Sequence, residues 1–93
     1  FQSMTKNLKV RIFGDVQGVG FRFVGYDIAR QLSINGFIRN EPDGSVYTEV
    51  EGEEDALQKF LEWCKKGPSS AIIKKVEHTF SDKLEHFKEF KVL

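Results

Sequence analysis

What this 93-residue chain has little of narrows it quickly. It carries one cysteine, Cys64, so no intramolecular disulfide can form, and a reducing compartment, the cytoplasm, is expected. It has no excess of either charge: Lys and Arg number 14, Asp and Glu number 14, and the formal net charge is zero. The basic footprint that a nucleic-acid partner selects is therefore missing from the chain as a whole, and no nucleic acid is expected. No apolar run approaches the ~20 residues of a membrane-crossing helix, and no signal-peptide pattern stands at the start, so no membrane is expected either. The two histidines, His78 and His86, have no cysteine or carboxylate cluster at ligand spacing around them. A metal needs convergent ligands, so no metal site and no cofactor are expected.

The hydrophobic content is 40%, enough for one domain with a real core, and nine phenylalanines against one tryptophan suit aromatics to filling it. Phe1-Gln2-Ser3 ahead of Met4 reads as the remnant of a purification tag, leaving residues 4–93 as the domain.

Period two opens the chain. Leu8, Val10 and Ile12 alternate with Lys9, Arg11 and Phe13, which predicts a strand closed by Gly14. From Phe21 to Leu32 the period shifts: Phe21, Val24, Ile28 and Leu32 recur at helical spacing, with Gly25 and Ala29 beside them. Phe37-Ile38-Arg39-Asn40 is a short strand, Pro42-Asp43-Gly44-Ser45 a turn, and Val46, Thr48 and Val50 the returning strand, with Glu49 and Glu51 expected to face solvent. Glu53-Glu54-Asp55 opens a second helix and Lys65-Lys66 closes it, charges that suit the dipole at each end. Leu57, Phe60, Leu61 and Cys64 form its apolar stripe, which makes Cys64 a buried, inert thiol. Ile72 to Phe80 is strand-like, and Phe87 to Leu93 ends in a short strand with Phe90 and Val92 on one face. The order βαββαβ plus a terminal strand is the split βαβ, or ferredoxin-like, α+β plan: two helices on one face of an antiparallel sheet, with the first and third strands adjacent.

The chemistry concentrates between the first strand and the first helix, in Gly14-Asp15-Val16-Gln17-Gly18-Val19-Gly20-Phe21-Arg22. Glycines here let successive N–H groups turn inward as a nest, and the helix start adds unpaired donors. Arg22 falls in the first helical turn, where a cation opposes the dipole by a few tenths of a kcal/mol up to ~1. That placement fits an anion close by. A tight turn with a solvated arginine fits as well, and on the glycines alone the two readings stand level.

Ile12-x-Gly14-x-Val16-Gln17-Gly18-Val19-x-Phe21-Arg22 resembles the first signature of the acylphosphatase family. The segment from Gly36 through Phe37-Ile38-Arg39-Asn40, Gly44 and Val46 to Gly52 is similar to the second, in the right order and spacing. The likeness covers nearly the whole chain. It departs at Ile38, where the family usually carries valine, alanine or cysteine, and at Asp15, a variable position that is often basic. The resemblance implies the same ferredoxin-like fold and a metal-independent hydrolase that cleaves the carboxyl–phosphate bond of acyl phosphates. It implies that backbone N–H groups of Val16, Gln17, Gly18, Val19, Gly20 and Phe21 hold the phosphoryl group, that Arg22 clamps its oxygens, and that Asn40 orients the attacking water. Inorganic phosphate or sulfate is then expected to compete, and a monomer is expected.

The alternative is a non-catalytic ferredoxin-like module that binds phosphate or RNA. Against RNA, the third strand reads Val46-Tyr47-Thr48-Glu49 where an RNA-recognition module would carry a basic-Gly-aromatic run, and Glu49 and Glu51 would repel phosphates. Metal chaperones of the same plan need a paired-cysteine loop that is absent. Such domains also occur inside larger carbamoyl-transfer or maturation proteins; the short tail after the last strand favours a free-standing enzyme.

Overall fold

A computed structural model describes residues 4–93; the expected tag remnant at residues 1–3 lies outside the described residues. The elements are β1 (Thr5–Asp15), α1 (Phe21–Gln31), β2 (Asn35–Asn40), β3 (Val46–Glu53), α2 (Glu54–Lys66), β4 (Ile72–Ser81) and β5 (Phe90–Val92). They form one sheet in the order β4-β1-β3-β2-β5, the ferredoxin-like plan expected from the periodicities. β1 and β3 pair antiparallel from Thr5 opposite Glu53 to Ile12 opposite Val46.

That register stacks the apolar positions. Leu8 faces Val50, Val10 faces Thr48 and Ile12 faces Val46 across the central pair, and Ile38 of β2 extends the row from Thr48; all are fully buried. Leu57, Phe60, Leu61 and Cys64 of α2 complete the core, together with Phe21 and Ala29 of α1. Each fully buried Leu, Ile or Phe contributes about 1.5–3 kcal/mol over its exposed state. Trp63 is half-buried and bridges the helices, its ring 4.9 Å from Phe21 and 6.0 Å from Phe60. A side chain at Gly25 would come within 3.0 Å of Ile38 Cδ1, so the glycine lets α1 lie close to β2.

Two expectations need correction. The sheet is mixed, because β5 pairs parallel to β2 through Gly36–Phe90 and Ile38–Val92. The cause is topological. β4 runs opposite to β1 and ends far from the glycine turn. The chain then crosses beneath the sheet to the other edge, and β5 enters in the direction of β2. Second, Glu49 and Glu51 are buried, 8% and 7% exposed, and do not face solvent. The crossing segment covers Glu51, whose carboxylate accepts the main-chain N–H of Glu85 (2.6 Å), His86 (2.9 Å) and Phe87 (3.4 Å). Asn7 Nδ2 donates to both Glu49 (2.9 Å) and Glu51 (2.8 Å), and Lys9 Nζ donates to Asn7 Oδ1 (3.0 Å). Carboxylates tolerate such burial only when their oxygens are satisfied in this way.

Candidate functional site

The antiparallel pairings send β1 and β2 in the same direction, so Asp15 and Asn40 end at the same side of the sheet. α1 begins there, and β5, parallel to β2, also ends there with Leu93. Residues far apart in the chain therefore meet at one rim. A pocket of about 120 Å³ opens at that rim, lined by Val16, Gly18, Gly20, Phe21, Arg22, Phe23 and Asn40. Its polar lining comes from the loop backbone, Arg22 and Asn40.

The loop owes its shape to local chemistry. Gly18 and Gly20 sit at φ +76° and +80°, a left-handed conformation that other L-residues resist. Gly20 caps α1 with no side-chain hydrogen bond, and the first turn of α1 contains no acid. The first-turn N–H groups therefore keep their donor capacity and the positive end of the helix dipole. Gly14 has a different duty: a Cβ there would stand 2.1 Å from the Ile72 carbonyl oxygen, at the irregularity where β1 shifts register against β4.

Arg22, half-buried on the first turn, donates from Nη1 to the main-chain oxygen of Leu93 at 2.8 Å. One contact fixes the guanidinium and leaves the rest of its five N–H donors for a ligand. Its central carbon lies 5.8 Å from the Phe23 ring centroid. Arg22 is the one cation lining the pocket among the described residues. The nearby cations on β1 and β2 are engaged elsewhere: Glu41 pairs with Arg11 at 3.2 Å and with Arg39 at 3.3 Å.

Of the six expected loop donors, Val16, Gly18, Gly20 and Phe21 line the pocket, while Gln17 and Val19 do not. Val19 packs partly buried against the core. Gln17 is a strut: its Nε2 donates to the carbonyls of Glu41 (2.8 Å) and Ser45 (3.0 Å), tying the loop to the β2–β3 turn that follows Asn40. Asp43 shapes that turn by accepting from the N–H (2.9 Å) and hydroxyl (2.6 Å) of Ser45, contacts that hold its carboxyl below the usual range. Two functional contacts were invisible in the residue pattern. Leu93 acts through a main-chain oxygen that any residue supplies, and Gln17 acts as a strut through a side chain singled out only for its backbone.

The remaining residues behave as structure. Cys64 is buried on α2, and burial pushes its thiol far up from the ordinary value. His78 and His86 are exposed, and among the described residues no group of three or more His, Cys, Asp or Glu could hold a metal ion. On the open sheet face the Tyr47 ring has Arg11 at 5.0 Å and Arg39 at 5.1 Å, and Arg39 also lies 5.4 Å from Phe37. Guanidinium groups occupy the ring faces that an RNA-recognition sheet would offer to bases. No described helix is long and apolar enough to cross a membrane.

The chain as a whole matches known proteins. The acylphosphatase family model matches residues 8–92. The acylphosphatase of Salinibacter ruber is 44% identical over 87 residues, covering 94% of this chain and 92% of its own. That of Thermotoga petrophila is 43% identical over 84 residues, covering 88% and 93%. The crystal structure of the Bacillus subtilis acylphosphatase superposes with a TM-score of 0.92 at 33% identity, over 95% of this chain and 98% of that one.

Proposed function

The chain belongs to the acylphosphatase family and hydrolyses acyl phosphates to a carboxylate and inorganic phosphate, and we propose that the pocket between β1, α1 and β2 carries out the reaction. In this reading the N–H groups of Val16, Gly18, Gly20 and Phe21 cradle the phosphoryl oxygens, with Gln17 and Val19 completing the loop. Arg22 clamps those oxygens with the donors that Leu93 leaves free. Asn40 holds the attacking water, since an amide can both donate to it and accept from it. The support is a single observation: loop, arginine and asparagine, brought in by three different elements, line one pocket.

The chemistry asks for little else. The leaving group is a carboxylate with a pKa near ~4, so it departs without a strong general acid. Charge in the loose transition state spreads over three equatorial oxygens, and fixed donors plus one cation stabilise it without reorganising. Water attacks phosphorus in line as the P–O bond to the acyl group breaks, and its proton passes to a phosphoryl oxygen, because asparagine is no base. The proposal extends to a monomer in the cytoplasm; for the compartment, the free, buried Cys64 suits reducing conditions.

Hydrolysis of benzoyl phosphate by wild type and Arg22→Ala tests the reading. A loss of ~10³-fold or more in kcat/KM is expected, the scale on which transition-state charge stabilisers act. Inorganic phosphate is expected to inhibit wild type competitively and the variant poorly. Turnover of Arg22→Ala within tenfold of wild type, with folding intact, would remove Arg22 from the mechanism.

A further inference from the structure

Phe23 is 64% exposed, although its ring is large and apolar. It is one of four large hydrophobic side chains so exposed among the described residues, and it alone of the four lines the pocket with Arg22 and Asn40. Its position in the helix explains the exposure. Phe21 and Gly25 take the buried line of α1, so a residue two places after Phe21 turns outward at the pocket mouth.

We propose that Phe23 forms the subsite for the acyl group and tunes the enzyme toward acyl phosphates with apolar, above all aromatic, acyl parts. The inference rests on the proposed role of the pocket. With the phosphoryl group held by the loop and Arg22 inside the pocket, the exposed Phe23 on its lining is the apolar surface offered to an acyl group that extends outward. In-line geometry separates the two ends of the reaction, because the leaving oxygen departs on the side of phosphorus away from the attacking water. The Phe23 ring lies 5.8 Å from the Arg22 guanidinium carbon, so a phosphoryl group clamped by Arg22 has its first acyl carbons within reach of the ring. The same cation restrains the ring, which lowers the entropy lost when a substrate settles on it. An acetyl or carbamoyl group is too small to cover the ring, whereas a benzoyl group can meet its edge or the face turned away from Arg22.

The experiment compares benzoyl phosphate with acetyl phosphate in wild type, Phe23→Ala and Phe23→Leu, with the inhibition constant of inorganic phosphate measured alongside. Phe23→Ala is expected to raise KM for benzoyl phosphate ~3- to 10-fold, the range that aromatic contacts reach. KM for acetyl phosphate and the phosphate inhibition constant are expected to move by a smaller factor than KM for benzoyl phosphate. Phe23→Leu, which keeps apolar bulk, is expected to recover part of the benzoyl KM. A change of equal size for both substrates, or none for benzoyl phosphate, overturns the subsite while leaving the catalytic pocket standing. A wild-type enzyme that hydrolyses neither substrate overturns the pocket itself, and the subsite with it.

Discussion

Replacing Glu51 with alanine is expected to cost about 2–4 kcal/mol of stability, with Glu51→Gln costing about 1–2 kcal/mol. The magnitudes come from the contacts. One buried carboxylate accepts an amide N–H of Asn7 and the main-chain N–H groups of Glu85, His86 and Phe87. Hydrogen bonds to a charged acceptor are worth about 1.5–3 kcal/mol each when one partner is removed. The contributions do not add in full, because the segment around Glu85 and His86 is exposed and water can reach N–H groups set free there. Glutamine keeps one acceptor oxygen and loses the charge. For a domain of this size each kcal/mol lowers Tm by about 4–8 °C, so Glu51→Ala is expected to melt about 8–32 °C below wild type. Trp63, the one tryptophan, is half-buried between Phe21 and Phe60 and reports unfolding by fluorescence. The pH dependence supplies a second readout. Burial pushes the Glu51 carboxyl up, but the N–H of Glu85, the amide of Asn7 and the N–H groups of Phe87 and His86 together hold it below its ordinary 4.5. A folded pKa below the unfolded one means that the stabilisation is complete above about pH 4.5 and is lost as pH falls through the folded value. Wild type is expected to lose stability on acidification through that range, and Glu51→Gln to lose less. Lys9 and Glu49 stand in the same network in both proteins, so the difference between the two profiles belongs to Glu51. A Glu51→Gln midpoint within about 0.5 kcal/mol of wild type, with the same acid limb, would refute the reasoning.

If Asn40 orients the water as proposed, Asn40→Ala is expected to lower kcat far more than it weakens inhibition by inorganic phosphate, because the donors to the phosphoryl oxygens stay in place. Steady-state kinetics with phosphate as inhibitor checks this, and unchanged kcat with poorer phosphate binding would reassign Asn40 to binding. Gly14→Ala, whose Cβ would stand 2.1 Å from the Ile72 carbonyl oxygen at φ +138°, is expected to destabilise by about 3 kcal/mol or more, read as a fall in the urea midpoint. A midpoint near that of wild type would mean that β4 gives way at no cost.

Much of the molecule was legible from residue order because its rules are local. The alternation of Leu8, Val10 and Ile12, the helical spacing of Leu57, Phe60, Leu61 and Cys64, and the charges at the ends of α2 each depend on neighbours within a few positions. The glycine turn belongs with them, since positive φ at Gly18 and Gly20 is a requirement of the backbone itself. The two family signatures named Arg22 and Asn40, and topology explains their meeting, because β1 and β2 must end on the same side once both flank β3.

What residue order left open depended on groups brought together across the chain. Whether β5 would run parallel or antiparallel was decided by where β4 ends and which edge remained free. Glu49 and Glu51 alternate with apolar residues and read as solvent-facing; the Asn7 amide and a crossing segment more than 30 residues away made burial affordable for Glu51. Arg22 meets Leu93 across 71 residues through a main-chain oxygen. Side-chain identity carries no mark of such a contact. Periodicity and turn chemistry determined the elements and the shape of the glycine turn, because those follow from each residue's own dihedrals and immediate neighbours. Tertiary structure decided which donors were already spent, which carboxylates were sheltered and that Phe23 would stand at the mouth, because these depend on where distant segments stop.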